Sequence, residues 1–246
     1  ICSRSPIPVI ADIHFNPKLA LAALDAGAAK IRINPGNIGK PEAVKNIVQK
    51  AASARIPVRI GVNSGSLESD ILREQGGPTV QALVTSAVRH IDRCRQWGAE
   101  QLVLSVKSSD VLTTIKSYEQ VSRQTDVPLH IGVTEAGTLR SGSVKSAVAL
   151  SILLYQGIGD TLRVSLTGDP VQEILVAKHI LSGLHLKRGG VNLISCPTCS
   201  RTQVDLIPIA EAVETALAHI DFPITVAIMG CEVNGPGEAR EADIGI

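Results

Sequence analysis

The sequence predicts an α/β protein: a (β/α)8 TIM-type barrel whose first strands lie outside this chain, followed by a small C-terminal α/β domain. Three observations lead there. Short β-rich runs alternate with amphipathic helical stretches six times, the pattern of a parallel sheet with right-handed crossovers. One face of each of those runs carries polar side chains while the other is aliphatic. After Gly189-Gly190 the alternation gives way to one strand–helix–strand unit with cysteines at its strand ends. These features divide the chain into a barrel domain, residues 1–189, and a small domain, residues 190–246.

The first strand is expected at residues 8–14, and Asn16-Pro17 behind it reads as a helix start, a capping side chain followed by a residue suited to the first turn. Strands at 30–34, 58–63, 101–107, 129–134 and 161–166 follow, with helices between them. Gly27, Gly98 and Gly157 fall near helix ends, where a left-handed residue commonly stops the helix. Asp169-Pro170 opens the next helix, with Gln172 in a capping-box position. Beyond residue 190 the reading is a strand at 191–195, a helix at 204–219 and a strand at 224–230 that ends on Cys231. Six units are two short of a closed barrel. The chain opens on Ile1 and closes on Ile246 just after a motif loop, so it is read as a piece cut at both ends; an open, doubly wound sheet is the rival topology.

Side-chain alternation favours the barrel, because successive strand residues face opposite ways. One face gathers Asp12 and His14, Arg32 and Asn34, Arg59 and Asn63, Ser105 and Lys107, His130, then Arg163 and Ser165. Under packed helices such groups would be buried without partners, at a cost of ~1–3 kcal/mol each. At the C-terminal mouth of a barrel, where barrel active sites sit, they are tolerable. Four of them are cations: Arg32, Arg59, Lys107 and Arg163. Like charges converging on a partly desolvated mouth repel unless an anion neutralises them, and guanidinium forks suit phosphate oxygens. The implied ligand carries at least two negative charges, most simply a diphosphate. No glycine-rich nucleotide fingerprint follows a strand, so a nucleotide is not indicated.

Composition narrows the classes. The 246 residues suffice for a large core, and a net charge of +1 argues for neither nucleic acid nor an anionic membrane surface. One Trp, two Tyr and two Phe are too few for a base-stacking platform, so the core must be Ile, Val, Leu and Ala. No stretch approaches the ~20 apolar residues of a membrane span.

Cys196-Pro-Thr-Cys199-Ser-Arg201 and Cys231-Glu-Val-Asn-Gly-Pro-Gly-Glu238 place three cysteines in Gly/Pro-rich segments that can wrap a bulky centre. Thiolates bind soft transition metals, and a C-x-x-C pair brings two sulfurs onto one ion or cluster. Structural zinc wants four Cys or His ligands, and His185 and His219 do not sit beside the cysteines. A redox dithiol leaves Cys231 without a role. Cys2 and Cys94 stand outside this spacing, and Cys94, on a helix, reads as a packing thiol. The cysteines fit a reducing cytosol better than a disulfide framework. A barrel enzyme of the pterin-binding methyltransferase kind with a structural zinc appendage, and a non-catalytic module stabilised by its cysteine site, are the readings from other classes.

CPTCSR and GCEVNGPGE occur together with ADIHF, RINPGNIG, RIGVNSGSLE, VKSSD, TEAG, RSG and GIGDTLRVSL, over essentially the whole chain. In this combination the chain resembles the family of bacterial 4-hydroxy-3-methylbut-2-enyl diphosphate synthases, iron–sulfur enzymes of non-mevalonate isoprenoid biosynthesis. The resemblance implies a barrel domain and a C-terminal domain holding a [4Fe-4S] cluster, with Cys196, Cys199, Cys231 and Glu238 as ligands. It implies reductive ring opening of 2-C-methyl-D-erythritol 2,4-cyclodiphosphate, the diphosphate being held at Arg32, Arg59, Lys107, Arg163 and Ser165, with Asn34, Asn63, Asp12 and His14 beside them. Glu135 matches a carboxylate of proton transfer; strict alternation points it away from the barrel interior, so the strand is expected to end before it. The resemblance further implies a flavodoxin- or ferredoxin-type electron donor, a homodimer in which each cluster domain serves the partner's barrel, and a bacterial cytoplasmic location, with a plastid location open.

Overall fold

The computed structural model describes residues 1–187 and 189–246, and the chain falls into two compact units, residues 1–177 and 178–246. The division lies inside a helix, Pro170–Gly183, some way before the expected boundary at residue 189.

Unit one alternates strand and helix throughout. Its strands are β1 (Ile10–Ile13), β2 (Lys30–Ile33), β3 (Val58–Asn63), β4 (Leu102–Lys107), β5 (His130–Ile131) and β6 (Thr161–Leu162). The helices are α1 (Pro17–Asp25), α2 (Pro41–Ser53), α3 (Ser69–Gln75), α4 (Val80–Gln96), α5 (Val111–Ser122), α6 (Leu139–Tyr155) and α7 (Pro170–Gly183). The local signals account for their ends. Asn16 accepts from the Lys18 N–H in front of α1, Thr79 from Ala82 in front of α4, and Asp110 from Thr113 in front of α5. Gly27, Gly98 and Gly157 take φ of 81°, 91° and 75° just past α1, α4 and α6. At α7 the expected partner was Gln172; the backward bond is instead made by Glu173, whose carboxylate accepts from the Leu166 N–H at 2.8 Å. The single helix expected between β3 and β4 is two, because Gly76 (φ 67°) stops α3 and Thr79 caps a new start.

Every strand pair is parallel, and the strands lie in chain order. β1 through β4 form one ladder, a Leu104–Leu129 bridge leads on toward β5, and β5 pairs with β6. A doubly wound sheet must reverse its strand order at a switch point; this row does not. It also curls. A flat sheet would hold β1 and β6 about 24 Å apart, five spacings of ~4.8 Å. Yet Asp12 on β1 lies 3.6 Å from the Arg163 guanidinium just past β6. The aliphatic face is sealed by the helices: Ile31, Ile33, Ile60, Leu104 and Ile131 are fully buried. Tyr118 of α5 is also buried; its hydroxyl donates to the His130 carbonyl at 2.6 Å and accepts from the Val106 N–H at 3.0 Å, tying β4 to β5. β5 and β6 are shorter than the alternation suggests. The Thr134 N–H turns to the Ser108 carbonyl and the Leu166 N–H to Glu173, so these residues leave the ladder for loop and helix partners.

In unit two, β7 (Val191–Ser195) and β8 (Ile224–Ile228) flank α8 (Leu206–Leu217). Leu206, Val226 and Ile228 form its core, with Leu193, Ala210 and Val213 against them. Two elements were not expected. Asn234–Glu238 is a short helix, α9, and Ile244–Gly245 is a third parallel strand, β9, on the far side of β8. The Gly-Pro-Gly run of the motif loop sits in the first turn of α9, where proline's missing N–H breaks no helical bond.

Candidate functional site

The six strands of unit one end on one side, and there Asp12, His14, Arg32, Arg59, Asn63, Ser105, Lys107, Thr134, Glu135, Arg163 and Ser165 line a cavity of about 270 Å³. Residues two apart on one strand share a face, and the curled row of strands turns that face inward. Nine of these eleven belong to the polar face read from the sequence. The others are Thr134, which the alternation through His130 would have reached, and Glu135. Glu135 adopts φ 52°, a left-handed conformation uncommon for glutamate, and with β5 already ended at Ile131 it turns toward the cavity rather than away.

Four cations meet two carboxylates in this cavity. Asp12 takes the Arg32 guanidinium at 2.9 Å, stands 3.6 Å from Arg163, and lies 3.6 Å from His14. Arg59 and Lys107 make no ion pair among the described residues, although both are at least nine-tenths buried. The consequence is largest at Lys107. Burial, then the Arg163, Arg59 and Arg32 charges, pull its ammonium down to about 7, against the weaker opposing pull of Asp12. Burial also lowers Arg59. His130 lies buried beneath them; burial and the Arg59, Lys107 and Arg163 charges push its imidazole to about 2, so it is neutral, with Nδ1 on the Thr161 hydroxyl at 2.8 Å. Arg59 Nε, Asn63 Oδ1 and His130 Nε2 are buried without a hydrogen-bond partner. Such groups are expensive to leave unpaired, and an anion in the cavity is the natural partner for the Arg59 guanidinium among them.

Asn34 does not line the cavity. Its amide is used up on the neighbouring loops, donating to the Ser66 hydroxyl at 2.6 Å and accepting from the Gly36 N–H at 3.1 Å. Behind Ser66, Glu68 accepts from the Ser86 hydroxyl at 2.6 Å and stands 3.2 Å from His90, which moors the segment after β3 to α4. Sequence reasoning did not single out Ser66; a lone serine in a loop carries no periodic signal.

In unit two, Cys196 directly follows β7 and Cys231 lies three residues past β8, so the two adjacent parallel strands deliver them to the same side. The Gln203 N–H on the Gly230 carbonyl, at 2.9 Å, fastens the C-x-x-C turn beside the strand that carries Cys231. Thr198 between the first two cysteines is left-handed, at φ 66°. Backbone and side-chain hydrogen bonds from Arg201 hold the Cys199 thiol below its usual range, and the same guanidinium is in electrostatic reach of Cys231 and Cys196. All three are free thiols, and soft thiolates offered by glycine-rich loops are the donor type an iron–sulfur centre takes. Glu238 ends α9. Among the described residues no three His, Cys, Asp or Glu side chains stand close enough together to hold a metal ion. Cys94 is buried in α4 and its thiol is pushed up to about 12 by burial, so it packs rather than reacts. No helix among the described residues is long and apolar enough to cross a membrane.

Two family models match the chain: that of the GcpE TIM-barrel domain over residues 1–178, and that of the GcpE protein C-terminal domain over residues 192–246. A relative from Geobacter sulfurreducens, named 4-hydroxy-3-methylbut-2-en-1-yl diphosphate synthase (flavodoxin), is 56% identical over 99% of this chain and 69% of its own length. One of the same name from Caldicellulosiruptor saccharolyticus is 60% identical over 100% of this chain and 71% of its own. Among solved structures, the dihydropteroate synthase of Xanthomonas albilineans is similar at a TM-score of 0.47 and 19% identity, over 74% of this chain and 68% of that one.

Proposed function

The chain belongs to the GcpE family, and on that premise we propose how its residues carry out the family's reaction. The chain is an oxidoreductase of isoprenoid biosynthesis, a 4-hydroxy-3-methylbut-2-en-1-yl diphosphate synthase by activity. It reductively opens the ring of 2-C-methyl-D-erythritol 2,4-cyclodiphosphate, with loss of a hydroxyl as water, to give 4-hydroxy-3-methylbut-2-enyl diphosphate.

One observation carries the assignment of the substrate site: four cations converge on a single cavity with two carboxylates, and two of the four have no ion-pair partner among the described residues. We place the diphosphate there. Arg59 and Lys107, the two cations without a carboxylate, supply the charge, and Arg32 and Arg163, already drawn inward by Asp12, supply guanidinium forks. Asn63 and Ser165 add polar contacts in the same cavity, and His14 stands beside Asp12. Asn34 supports the clamp from outside by holding the Ser66 loop. Glu135 faces the same cavity and is the carboxyl group proposed to move a proton to or from the opened substrate. Burial of Arg32, Arg59 and Lys107 keeps water off those three charges and strengthens their contacts.

Cys196, Cys199, Cys231 and Glu238 would hold a [4Fe-4S] cluster, which when bound supplies the two electrons singly. The thiol-rich strand ends support this assignment, and carboxylate is a harder, more displaceable ligand than thiolate. We place the domain boundary at residues 189 and 190, between the two family matches. The relatives' name supports a flavodoxin as electron donor. A homodimer and a cytoplasmic location belong to the same proposal. The test is anaerobic purification with iron and sulfide analysis, and turnover of the cyclodiphosphate with reduced flavodoxin. A colourless protein with stoichiometric zinc and no turnover would overturn the reading.

A further inference from the structure

We propose that Gly61 is a positioning residue of the diphosphate clamp, its missing side chain leaving the slot across which Arg32 reaches the cavity. The inference rests on the clamp reading above. Gly61 lies near the middle of β3, between Arg59 and Asn63 on the inward face, and it is buried. Glycine weakens a strand interior and has no side chain to pack, so its presence there calls for a close approach by another group. Here that group is a guanidinium. A Cβ on Gly61 would stand 2.5 Å from Arg32 Nε, 2.6 Å from Nη2 and 2.9 Å from Cζ. All three are far inside the ~3.5–4.0 Å of an ordinary non-bonded contact.

The register explains why Arg32 lies there. Arg32 on β2 pairs with Arg59 on β3, so two cations start side by side on adjacent strands. Leaning over Gly61 carries the Arg32 guanidinium past Arg59, while its Nη1 donates at 2.9 Å to Asp12, its register partner on β1. The next polar pair toward the last strand repeats the arrangement. A Cβ on Gly132 would stand 3.0 Å from Lys107 Nζ, and 2.6 Å from the Arg163 carbonyl. Gly132 also meets the Arg163 backbone, so replacing it would shift the chain just past β6. Gly61 is the cleaner case: the three nearest atoms are all the flexible end of Arg32, and its φ lies outside the left-handed region. Alanine is therefore tolerated by the fold and displaces Arg32.

The experiment is calorimetric titration of the cyclodiphosphate into the whole protein that carries this chain, as Gly61→Ala, Arg32→Ala and the double variant beside wild type. Gly61→Ala is expected to weaken binding about tenfold, the loss of roughly one charge-assisted contact, with iron content and thermal midpoint held. In the Arg32→Ala background it should weaken binding no further, since the slot then has nothing to admit. Unchanged affinity in Gly61→Ala, or an equal loss with and without Arg32, would overturn the positioning role. Wild-type protein that does not bind the cyclodiphosphate would overturn the clamp itself, and the inference with it.

Discussion

Raising the pH from 6 to 8 is expected to weaken cyclodiphosphate binding about tenfold, and the group responsible is Lys107. Its ammonium is depressed from an ordinary 10.5 to about 7 by burial and by three arginine charges. A bound diphosphate reverses the electrostatic part of that cause and favours the charged form, so the lysine's pKa is higher in the complex than in the free protein. Binding therefore takes up protons. With a free pKa near 7, about nine-tenths of the lysine is charged at pH 6 and about one-tenth at pH 8, and the affinity follows that ratio. The cyclic diphosphate is fully ionised across this range and adds no slope of its own. Titration calorimetry in buffers of different ionisation enthalpy should show about half a proton taken up per ligand at pH 7. Lys107→Arg, always charged, should bind with neither uptake nor slope. Because His14 lines the same cavity and is kept in both proteins, the difference between the two profiles belongs to the lysine. A flat wild-type profile, or the same slope in Lys107→Arg, would refute the reasoning. Stability carries the linked sign: between about pH 7 and 10.5 the unfolded chain holds more protons than the ligand-free fold, so stability of the empty protein rises with pH through that window.

Other perturbations separate the two units. Cys196→Ser, Cys199→Ser and Cys231→Ser should each lose iron and sulfide, while Cys94→Ser, a change in the packed interior of α4, keeps both; equal iron in all four proteins would remove the cluster assignment. Glu238→Ala should keep the three thiols but hold iron less firmly on exposure to air, read by electron paramagnetic resonance and metal content; a four-iron signal as durable as wild type would dismiss Glu238 as a ligand. Tyr118→Phe strips two buried backbone groups, Val106 N–H and His130 C=O, of their partner and should cost about 1–3 kcal/mol in denaturant unfolding. Affinity for the cyclodiphosphate should change little, since Tyr118 does not line the cavity; an unchanged unfolding midpoint would show the tie between β4 and β5 to be unimportant.

How far the sequence reached depends on the range of the forces involved. Strand and helix succession, the capped starts at Asn16 and Asp110, and the glycine stops are local matters of dihedral preference and nearby hydrogen bonds. They are written within a few residues, and β3 and β7 stand where the alternation puts them, residue for residue. The polar face was legible for the same reason: period two is a local property, so Asp12, Arg32, Arg59, Lys107 and Arg163 could be assigned to one side before any pairing was known. The C-x-x-C spacing and its glycine-rich surroundings are equally local. Other features needed the tertiary structure. The order of the strands, and the curl that brings Asp12 to Arg163, arise from pairing between residues up to 151 positions apart. The inward turn of Glu135 follows from where β5 loses its ladder partner, the spent amide of Asn34 from a loop 32 residues on, and the depressed Lys107 from desolvation by the whole surrounding core. The helix through Gly235-Pro236-Gly237 runs against local propensity, and only the structure reveals it. Burial and long-range pairing are sums over distant neighbours, and a linear sequence states the members of those sums without stating which of them meet.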